Sequence, residues 1–441
     1  MSLVDVAMVG RLGPEALAAT GMGGMLMWGA LSLVLGIRTS VQTISSRRLG
    51  QNKTRDCIKA LNNGFLLAAL YSIPVSFLGW SCGFLIIPLF IIDDITTPLA
   101  ISYFSISSLG LFFNSISFVF QGFYTGIEKT KVHLRVTITS NIINAYLNVG
   151  LIYGKNNISS FFNDSFGSAL DPSFFWFWAG FEGLGVTGAA IGTLIASVWM
   201  MTHYGFYLKK QTMVEDSGGI ISTGLDKTML RKQVDLSLPM GIQETMIAVG
   251  WSVFYKIMAI IGIVELATTQ LLFTIMHASF MPALGVGQAC ATLVGKYLGE
   301  KNPDKAEQSV YESLRGSFFI MGSVGICFML FAQYIINPFT NDPRVIEIAV
   351  PGLRFVGLLQ FVDAICFTLW FALTGAGDTK IPAIVDVLTH WILFIPACYL
   401  LGITLGFGFW GPWIAFGLHL TFFAAFVFWR FRMGYWKTIK V

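Results

Sequence analysis

Apolar runs of membrane-spanning length recur from one end of the chain to the other, separated by short polar segments. A helix needs about 20 such residues to cross the hydrocarbon core, and lipid admits only helices or closed barrels. The runs lack the alternation of barrel strands. The pattern therefore predicts an all-α polytopic membrane protein of about twelve spans, near 1–10 (incomplete), 15–44, 59–82, 96–124, 132–154, 174–208, 234–261, 266–294, 307–333, 345–373, 381–403 and 410–430.

Composition supports the membrane class. Hydrophobic residues make up 55% of the 441 positions and charged residues only 12%, about half of what a soluble chain carries. The net charge of +4 says little about nucleic acid, and none is expected as a partner. The cysteines show neither a disulfide framework nor zinc spacing and are interpreted as packing residues. They are Cys57, Cys82, Cys290, Cys327, Cys366 and Cys398.

Positive charge predicts the orientation of the chain. Most of the 28 Lys and Arg residues lie in alternate connections and in the C-terminal tail, at 47–59, 129–135, 209–232, 296–305 and 378–380 and after 430. Because loops rich in Lys and Arg stay on the cytoplasmic side, both termini are expected to be cytoplasmic. The expected location is the plasma membrane, which in bacteria is the inner membrane.

The chain also repeats itself. "TISSRRLG" (43–50) matches "TLVGKYLG" (292–299), and "TGIEKTK" (125–131) matches "TGAGDTK" (374–380) at the same offset. A duplication of six spans gives two parallel repeats about an axis along the membrane normal. We therefore expect two six-helix lobes that face a central cavity. The predicted parts are an N-lobe at 1–208 (helices 1–6), a cytoplasmic linker at 209–233 and a C-lobe at 234–441 (helices 7–12 and a short basic tail).

Several classes of activity lack their motifs. The chain contains no G-x-x-x-x-G-K-[ST] and no H-E-x-x-H, so neither ATP hydrolysis by a P-loop nor this type of zinc protease is expected. "GFGFWG" (406–411) follows no strand and is not interpreted as a dinucleotide site. These observations favour a secondary transporter driven by an ion gradient, neither an enzyme nor a cofactor-binding protein.

Six stretches, distributed over both halves, share a resemblance to one family. They are "VDVAMVGRLGPEALAATG" (4–21), "GFYTGIEKTKVH" (122–133), "NIINAYLNVGLIYG" (141–154), "GLGVTGAAIGT" (183–193), "SLPMGIQE" (237–244) and "QFVDAICFTLWFALTGAGDTKIPA" (360–383). Together they resemble motifs of the multidrug and toxic-compound extrusion (MATE) family. The resemblance implies twelve helices in two lobes, and export of cationic or amphipathic compounds in exchange for H⁺ or Na⁺. It also implies a first helix that begins well before "VD", so helix one is expected to be incomplete, either through an upstream start or through truncation.

The resemblance implies an N-lobe site for the coupling cation. Asp5 occupies the position of an acidic residue involved in coupling, and a carboxylate inside a span costs a few kcal/mol unless it has a partner or a purpose. The motif N-x-x-x-D reads Asn144 and Asn148 here, which lie on one helix face and lack the second carboxylate. An amide can ligate Na⁺ but cannot take up a proton. Thr193 matches a hydroxyl near this site, with a bond back to its own helix as the alternative. Na⁺ at Asp5 and Asn144 is one expectation, and H⁺ is the other.

A second candidate lies in the C-lobe. Asp363 matches an acidic residue of the cation site in NorM-type members, but the accompanying glutamate position holds Ile247, with Glu244 one turn earlier as an uncertain substitute. Asp386 is expected to be a solvated charge at the inner mouth. Further cavity candidates, with helix bridging or core hydrogen bonding as alternatives, are Gln42, Gln121, His277 and His390.

Three alternatives remain open. A flippase for a lipid-linked precursor, from the same wider superfamily, would favour a cationic cavity, yet the predicted spans carry acidic residues and almost no Arg. A membrane enzyme would need a denser acid or His cluster. A truncated product without transport activity is the third. The expected partners are a small organic cation and the bilayer, and the expected state is a monomer.

Overall fold

A computed structural model describes residues 5, 8–91, 93–166, 172–176, 178–210, 224–340 and 342–441. It leaves out the side chains of 155–157, 159–166, 172–173 and 278. Within these ranges the chain is almost entirely helical, with one isolated β-bridge between Gly154 and Glu182. The prediction of an all-α polytopic protein is confirmed.

Among the residues that the structure describes, a short helical segment contains Asp5, Met8 and Val9 and continues into a 3₁₀ turn, Gly10–Leu12. Eleven long helices follow it. They are α1 (Pro14–Gly50), α2 (Thr54–Ile86), α3 (Thr96–Gly126), α4 (Thr130–Phe166), α5 (Gly185–Lys209), α6 (Lys227–Ile261), α7 (Ile263–Gly299), α8 (Pro303–Ile336), α9 (Pro343–Ala376), α10 (Lys380–Thr404) and α11 (Trp410–Arg432).

Nine helices in the described part of the chain are long and apolar enough to cross a membrane, or up to ten if the bent α7 counts as one span. Helix α4 is not among them, because Asn141, Asn144 and Asn148 lower its mean hydropathy. The span predicted at 174–208 is shorter than expected, since α5 begins only at Gly185, whose φ of 54° is favourable for glycine.

The structure divides into two compact units, and each has its own buried core. Unit 1 comprises Met1–Arg38, Ile58–Tyr124 and Lys129–Leu230. Unit 2 comprises Thr39–Cys57, Thr125–Glu128 and Arg231–Val441. The division into lobes at 1–208 and 234–441 stays a prediction, and residues 211–223 of the predicted linker lie outside the described residues.

In unit 1, a break in α4 brings the start of α5 against its neighbour. Gly154 interrupts α4 at a φ of 65°, and beyond it the chain returns so that Leu184 N–H donates to the Leu151 carbonyl at 2.8 Å. A Cβ on Gly188 would lie 2.4 Å from that same carbonyl oxygen. Glycine at 188 therefore permits backbone contact between α4 and α5.

In unit 2, α9 is the central helix and packs against α7, α8 and α11. Helix α7 approaches it closely at Gly375, where a Cβ would lie 2.2 Å from the Ala291 carbonyl oxygen. The C-terminal tail lies on the same unit, since Arg47 donates to the carbonyl oxygens of Ala376 and Ile439 at 2.9 and 3.2 Å.

Helix α10 alternates between α-helical and π-helical hydrogen bonding. Its α-helical parts are Lys380–Leu388 and Ile395–Tyr399. Its π-helical parts are Thr389–Phe394 and Leu400–Thr404. In the first π segment, Ile395 N–H donates to the His390 carbonyl. Such i→i+5 turns inside α-helices often mark functional sites.

Candidate functional site

The carboxylate of Asp5 is buried in unit 1 with 2% of its surface exposed. Asn148 Nδ2 on α4 donates to Asp5 Oδ1 at 2.5 Å. Thr193 Oγ1 on α5 donates to Asp5 Oδ2 at 2.8 Å. Among the described residues, no lysine or arginine forms an ion pair with Asp5. The carboxylate is therefore held by neutral donors from two helices.

Two asparagines contribute oxygens that the described structure leaves unpaired. Asn144 Nδ2 donates to Thr193 Oγ1 at 3.1 Å, and Asn148 Nδ2 is used by Asp5. Neither Asn144 Oδ1 nor Asn148 Oδ1 accepts a hydrogen bond, although both atoms are buried. More than about 90% of buried polar groups are satisfied, so two unpaired amide oxygens beside one carboxylate are unusual.

Local sequence explains why these groups meet. Asn144 and Asn148 are one turn apart on α4 and therefore share a face. Opposite them on α5, a Cβ on Gly192 would lie 2.1 Å from Asn148 Oδ1. The glycine thus makes room for the amide, and the next residue, Thr193, supplies the hydroxyl. Tyr103 on α3 is buried close enough to interact electrostatically with Asp5.

Every atom at this site that could coordinate a cation is an oxygen: two from a carboxylate, two from amides and one from a hydroxyl. Hard cations prefer such ligands, and imidazole or thiolate ligands are absent from this set. In the described part of the chain, no group of three or more His, Cys, Asp and Glu side chains could hold a metal ion. The set has one formal negative charge, which matches a single monovalent cation or one proton on Asp5.

The structure thus brings together Asp5, Asn144, Asn148 and Thr193, four of the residues singled out in the sequence. The hydroxyl of Thr193 donates to Asp5 Oδ2 and not to a carbonyl oxygen of its own helix, which was the alternative. The part that these residues play in coupling stays a prediction.

The remaining candidates lie elsewhere. Asp363 on α9 is partly buried in unit 2 and makes no hydrogen bond or ion pair with any other described residue. Gln42 Nε2 donates to Gln288 O at 2.9 Å and to Thr292 Oγ1 at 3.0 Å, and so bridges α1 to α7 within unit 2.

Gln121 and the two histidines have different surroundings. Gln121 lies 3.0 Å from His133 Nε2 and links α3 to α4 within unit 1. His277 is exposed; its Nδ1 lies 3.3 Å from the Phe273 carbonyl oxygen and its ring lies near that of Phe280. His390 is 1% exposed. A function for any of them in a cavity stays a prediction.

The expectation for Asp386 is wrong. Its side chain is not solvated but buried, with 8% exposed, and Gln243 Nε2 donates to its Oδ2 at 2.6 Å. His419 lies on its other side. The position of Asp386 just after "GDTKIP" suggests the membrane edge, but side chains from α6 and α11 cover it. Gln243 and His419 are polar residues inside apolar helices, and this signal could have identified them.

Comparison with known proteins gives consistent matches along the chain. The MatE family model matches residues 1–149 and 239–400. A probable multidrug resistance protein NorM of Thermotoga maritima is 24% identical over 437 residues, covering 99% of this chain and 88% of its own.

Solved structures show the same fold. A MATE crystal structure in the straight conformation superposes with a TM-score of 0.85 at 19% identity, covering 99% of this chain and 92% of its own. A MOP superfamily transporter from Pyrococcus furiosus, whose reversed binding-pocket polarity suggests a different function, gives 0.80 at 18% identity, with the same coverage.

Proposed function

Because this chain belongs to the MatE family and is similar along its length to a probable multidrug resistance protein NorM, we propose that it is a secondary active antiporter. It exports cationic or amphipathic organic compounds in exchange for H⁺ or Na⁺. The observation that supports antiport is the buried Asp5 carboxylate, held by Asn148 and Thr193 with no lysine or arginine partner in the described structure.

A cation stabilises such a site more than hydrogen bonds alone. A carboxylate inside a membrane span costs a few kcal/mol, and each hydrogen bond to a charged group returns about 1.5–3 kcal/mol. A bound Na⁺ would contact the carboxylate and the unpaired oxygens of Asn144 and Asn148. A proton would neutralise the carboxylate alone. Either ion neutralises the carboxylate charge, whose burial in the membrane span costs free energy when no cation is bound.

Coupling follows if the ion and the organic cation compete for Asp5. A ligand shifts a conformational equilibrium only through its different affinities for the two states. If the ion and the exported compound cannot occupy the site at the same time, binding of one drives the conformational change in one direction. Binding of the other drives the change back. Specificity for the organic compound would depend on apolar and aromatic surfaces around the site.

The test is efflux of ethidium from proteoliposomes under a pH gradient or a Na⁺ gradient, each imposed separately. We expect one of these gradients to drive export, and Asp5→Asn to reduce the driven rate at least about tenfold, which corresponds to the loss of about 1.4 kcal/mol. Asp94→Asn is the matched control, because Asp94 is an exposed carboxylate. Asp363→Asn measures whether a second carboxylate contributes.

Driven export that persists in Asp5→Asn would contradict a coupling site in unit 1. Wild-type protein that exports nothing under either gradient would contradict antiport itself. In that case, movement of a lipid-linked precursor between leaflets becomes the function to measure.

A further inference from the structure

A second buried polar cluster lies in unit 2, where α6, α10 and α11 meet. Asp386 Oδ1 is 3.7 Å from His419 Nε2, while its Oδ2 accepts from Gln243. Among the described residues, no lysine or arginine pairs with Asp386. Within the described ranges, the only group placed to carry a compensating positive charge at this carboxylate is therefore an imidazole.

The cluster contains more polar atoms than its hydrogen bonds use. Buried and without a hydrogen-bond partner in the described structure are His390 Nε2, His419 Nδ1 and Gln243 Oε1. The His390 and His419 rings are perpendicular, with their centroids 5.3 Å apart. Since native interiors rarely leave buried polar atoms unpaired, three such atoms in one cluster are unusual and call for an explanation.

The backbone around His390 is also unusual. Its carbonyl accepts the π-type hydrogen bond of the first π segment in α10. On the facing helix α6, a Cβ on Gly250 would lie 2.2 Å from His390 Nε2. A π turn and an opposing glycine thus together accommodate an imidazole that makes no hydrogen bond through Nε2. This is difficult to explain by packing alone, because an apolar side chain would fit there without an unpaired nitrogen.

The other ionisable groups that face the cluster are acids or a thiol. Glu244 on α6 lies close enough to Asp386 to interact electrostatically. On α9, Cys366 interacts with both Asp363 and Asp386. The two histidines are therefore the only bases that the described structure places among these acids, so a proton shared in the cluster has both carboxyl and imidazole groups to occupy.

We propose that Asp386, His419 and His390 form a proton-binding site in unit 2, separate from the Asp5 site. One proton is held between Asp386 Oδ1 and His419 Nε2, and His390 is the next base that can accept it. When the proton moves from His419 Nε2 to Asp386 Oδ1, both groups become neutral, and no other reactant is needed. The use of this site in transport rests on the proposed antiport, whereas proton binding does not.

Histidine-selective ¹⁵N spectroscopy in lipid nanodiscs tests proton binding directly. The chain has five histidines, and His419→Gln assigns the His419 signals. Between about pH 5 and about pH 8 we expect the His419 ring signals to change with pH in the wild type and to stay constant in Asp386→Asn, because asparagine cannot take up the shared proton. His203→Gln, which changes a histidine of unit 1, should leave the His419 signals unaltered. Identical His419 spectra in wild type and Asp386→Asn would overturn the proposal.

A transport measurement tests whether the site is used. Under the gradient that drives the wild type, we expect the efflux rate to change at least about threefold between about pH 6 and about pH 8. This pH dependence should flatten in Asp386→Asn and His419→Gln and persist in His203→Gln. Ethidium affinity, measured by fluorescence, shows that each variant is folded. An unchanged pH dependence in both cluster variants would overturn the assignment to transport. If the wild type exports nothing, the proposed antiport fails while the nitrogen spectra still decide proton binding.

Discussion

Gly192→Ala is the sharpest test of the Asp5 site, because it changes the geometry of the site without removing any of its oxygen atoms. The added Cβ would lie 2.1 Å from Asn148 Oδ1 but 3.5 Å from Asn148 N. The α4 backbone can therefore stay in place, while the amide must rotate away. Rotation breaks the hydrogen bond from Asn148 Nδ2 to Asp5 Oδ1 and moves one unpaired oxygen.

The expected effect follows from that hydrogen bond. A hydrogen bond to a charged group contributes about 1.5–3 kcal/mol, and every 1.4 kcal/mol is a factor of about ten in affinity. We therefore expect the apparent affinity for the coupling ion to change by about 10- to 100-fold. It should fall if the ion is Na⁺, which loses the Asn148 oxygen, and rise if the ion is H⁺, because the ionised carboxylate loses a donor. The maximal rate at saturating ion should change less, since Asp5 and Thr193 remain.

The assay is ethidium efflux as a function of the concentration of the driving ion, together with a thermal melt of each purified variant. Two glycines in the same helix are controls. Gly205→Ala adds a methyl group in open space and should retain wild-type ion affinity. Gly188→Ala meets the Leu151 carbonyl at 2.4 Å and should lower the melting temperature, because backbone cannot rotate away as a side chain can.

Two results would refute the reasoning. If Gly192→Ala retained the wild-type ion affinity, Asn148 would not hold Asp5 in the functional state. If Gly188→Ala changed the ion affinity as much as Gly192→Ala did, the effect would be caused by displacement of the helix rather than by the Asn148 amide.

Two further predictions concern stability. Gly375→Ala should lower the melting temperature by a few degrees, since its Cβ meets the Ala291 backbone and overpacking costs about 1–3 kcal/mol. Gly285→Ala, which adds a methyl group in open space on α7, should leave the melting temperature unchanged. Equal melting temperatures for the two variants would contradict the close packing at Gly375. Asp342 caps α9, and hydrogen bonds from the Arg344 side chain and backbone lower the pKa of its carboxyl. A lowered pKa stabilises the fold above the ordinary value of about 4 and ceases to do so as the pH falls through the folded pKa. Asp342→Ala should therefore lower the melting temperature at neutral pH. The difference in melting temperature from the wild type should shrink as the pH falls, and a difference that stayed constant down to about pH 2 would show that the Asp342 charge is not its cause.

The all-helical membrane class and the shared face of Asn144 and Asn148 could be predicted from the sequence because both depend on local patterns. Apolar runs gave the spans, and the spacing of Asn144 and Asn148 gave a shared face. Resemblance supplied Asp5 and Thr193. Helix ends were less accurate, because α1 continues to Gly50, past the apolar run that predicted its end near 44, and a polar extension beyond the bilayer has no hydrophobic signal.

The rest depends on contacts between residues far apart in the chain. The burial of Asp386 requires Gln243 and His419, which are distant in sequence, and a one-dimensional pattern does not show which helices cover it. The close approach of Gly192 to Asn148 is likewise a property of packing. A glycine in an apolar helix indicates a close contact somewhere, but not which atom it meets.

The π segments of α10 also have a consequence for comparing this chain with its relatives. Each π hydrogen bond spans one residue more than an α-helical one, so each segment can be regarded as a single-residue insertion absorbed inside a helix. A relative with one residue fewer here would need a gap within Thr389–Phe394, in mid-helix, where alignments normally allow none. Deleting one residue from this segment should convert it to regular α-helix and leave the residues beyond it on the same faces relative to Asp386. An ungapped alignment of α10 would then pair residues that lie on different faces of the helix.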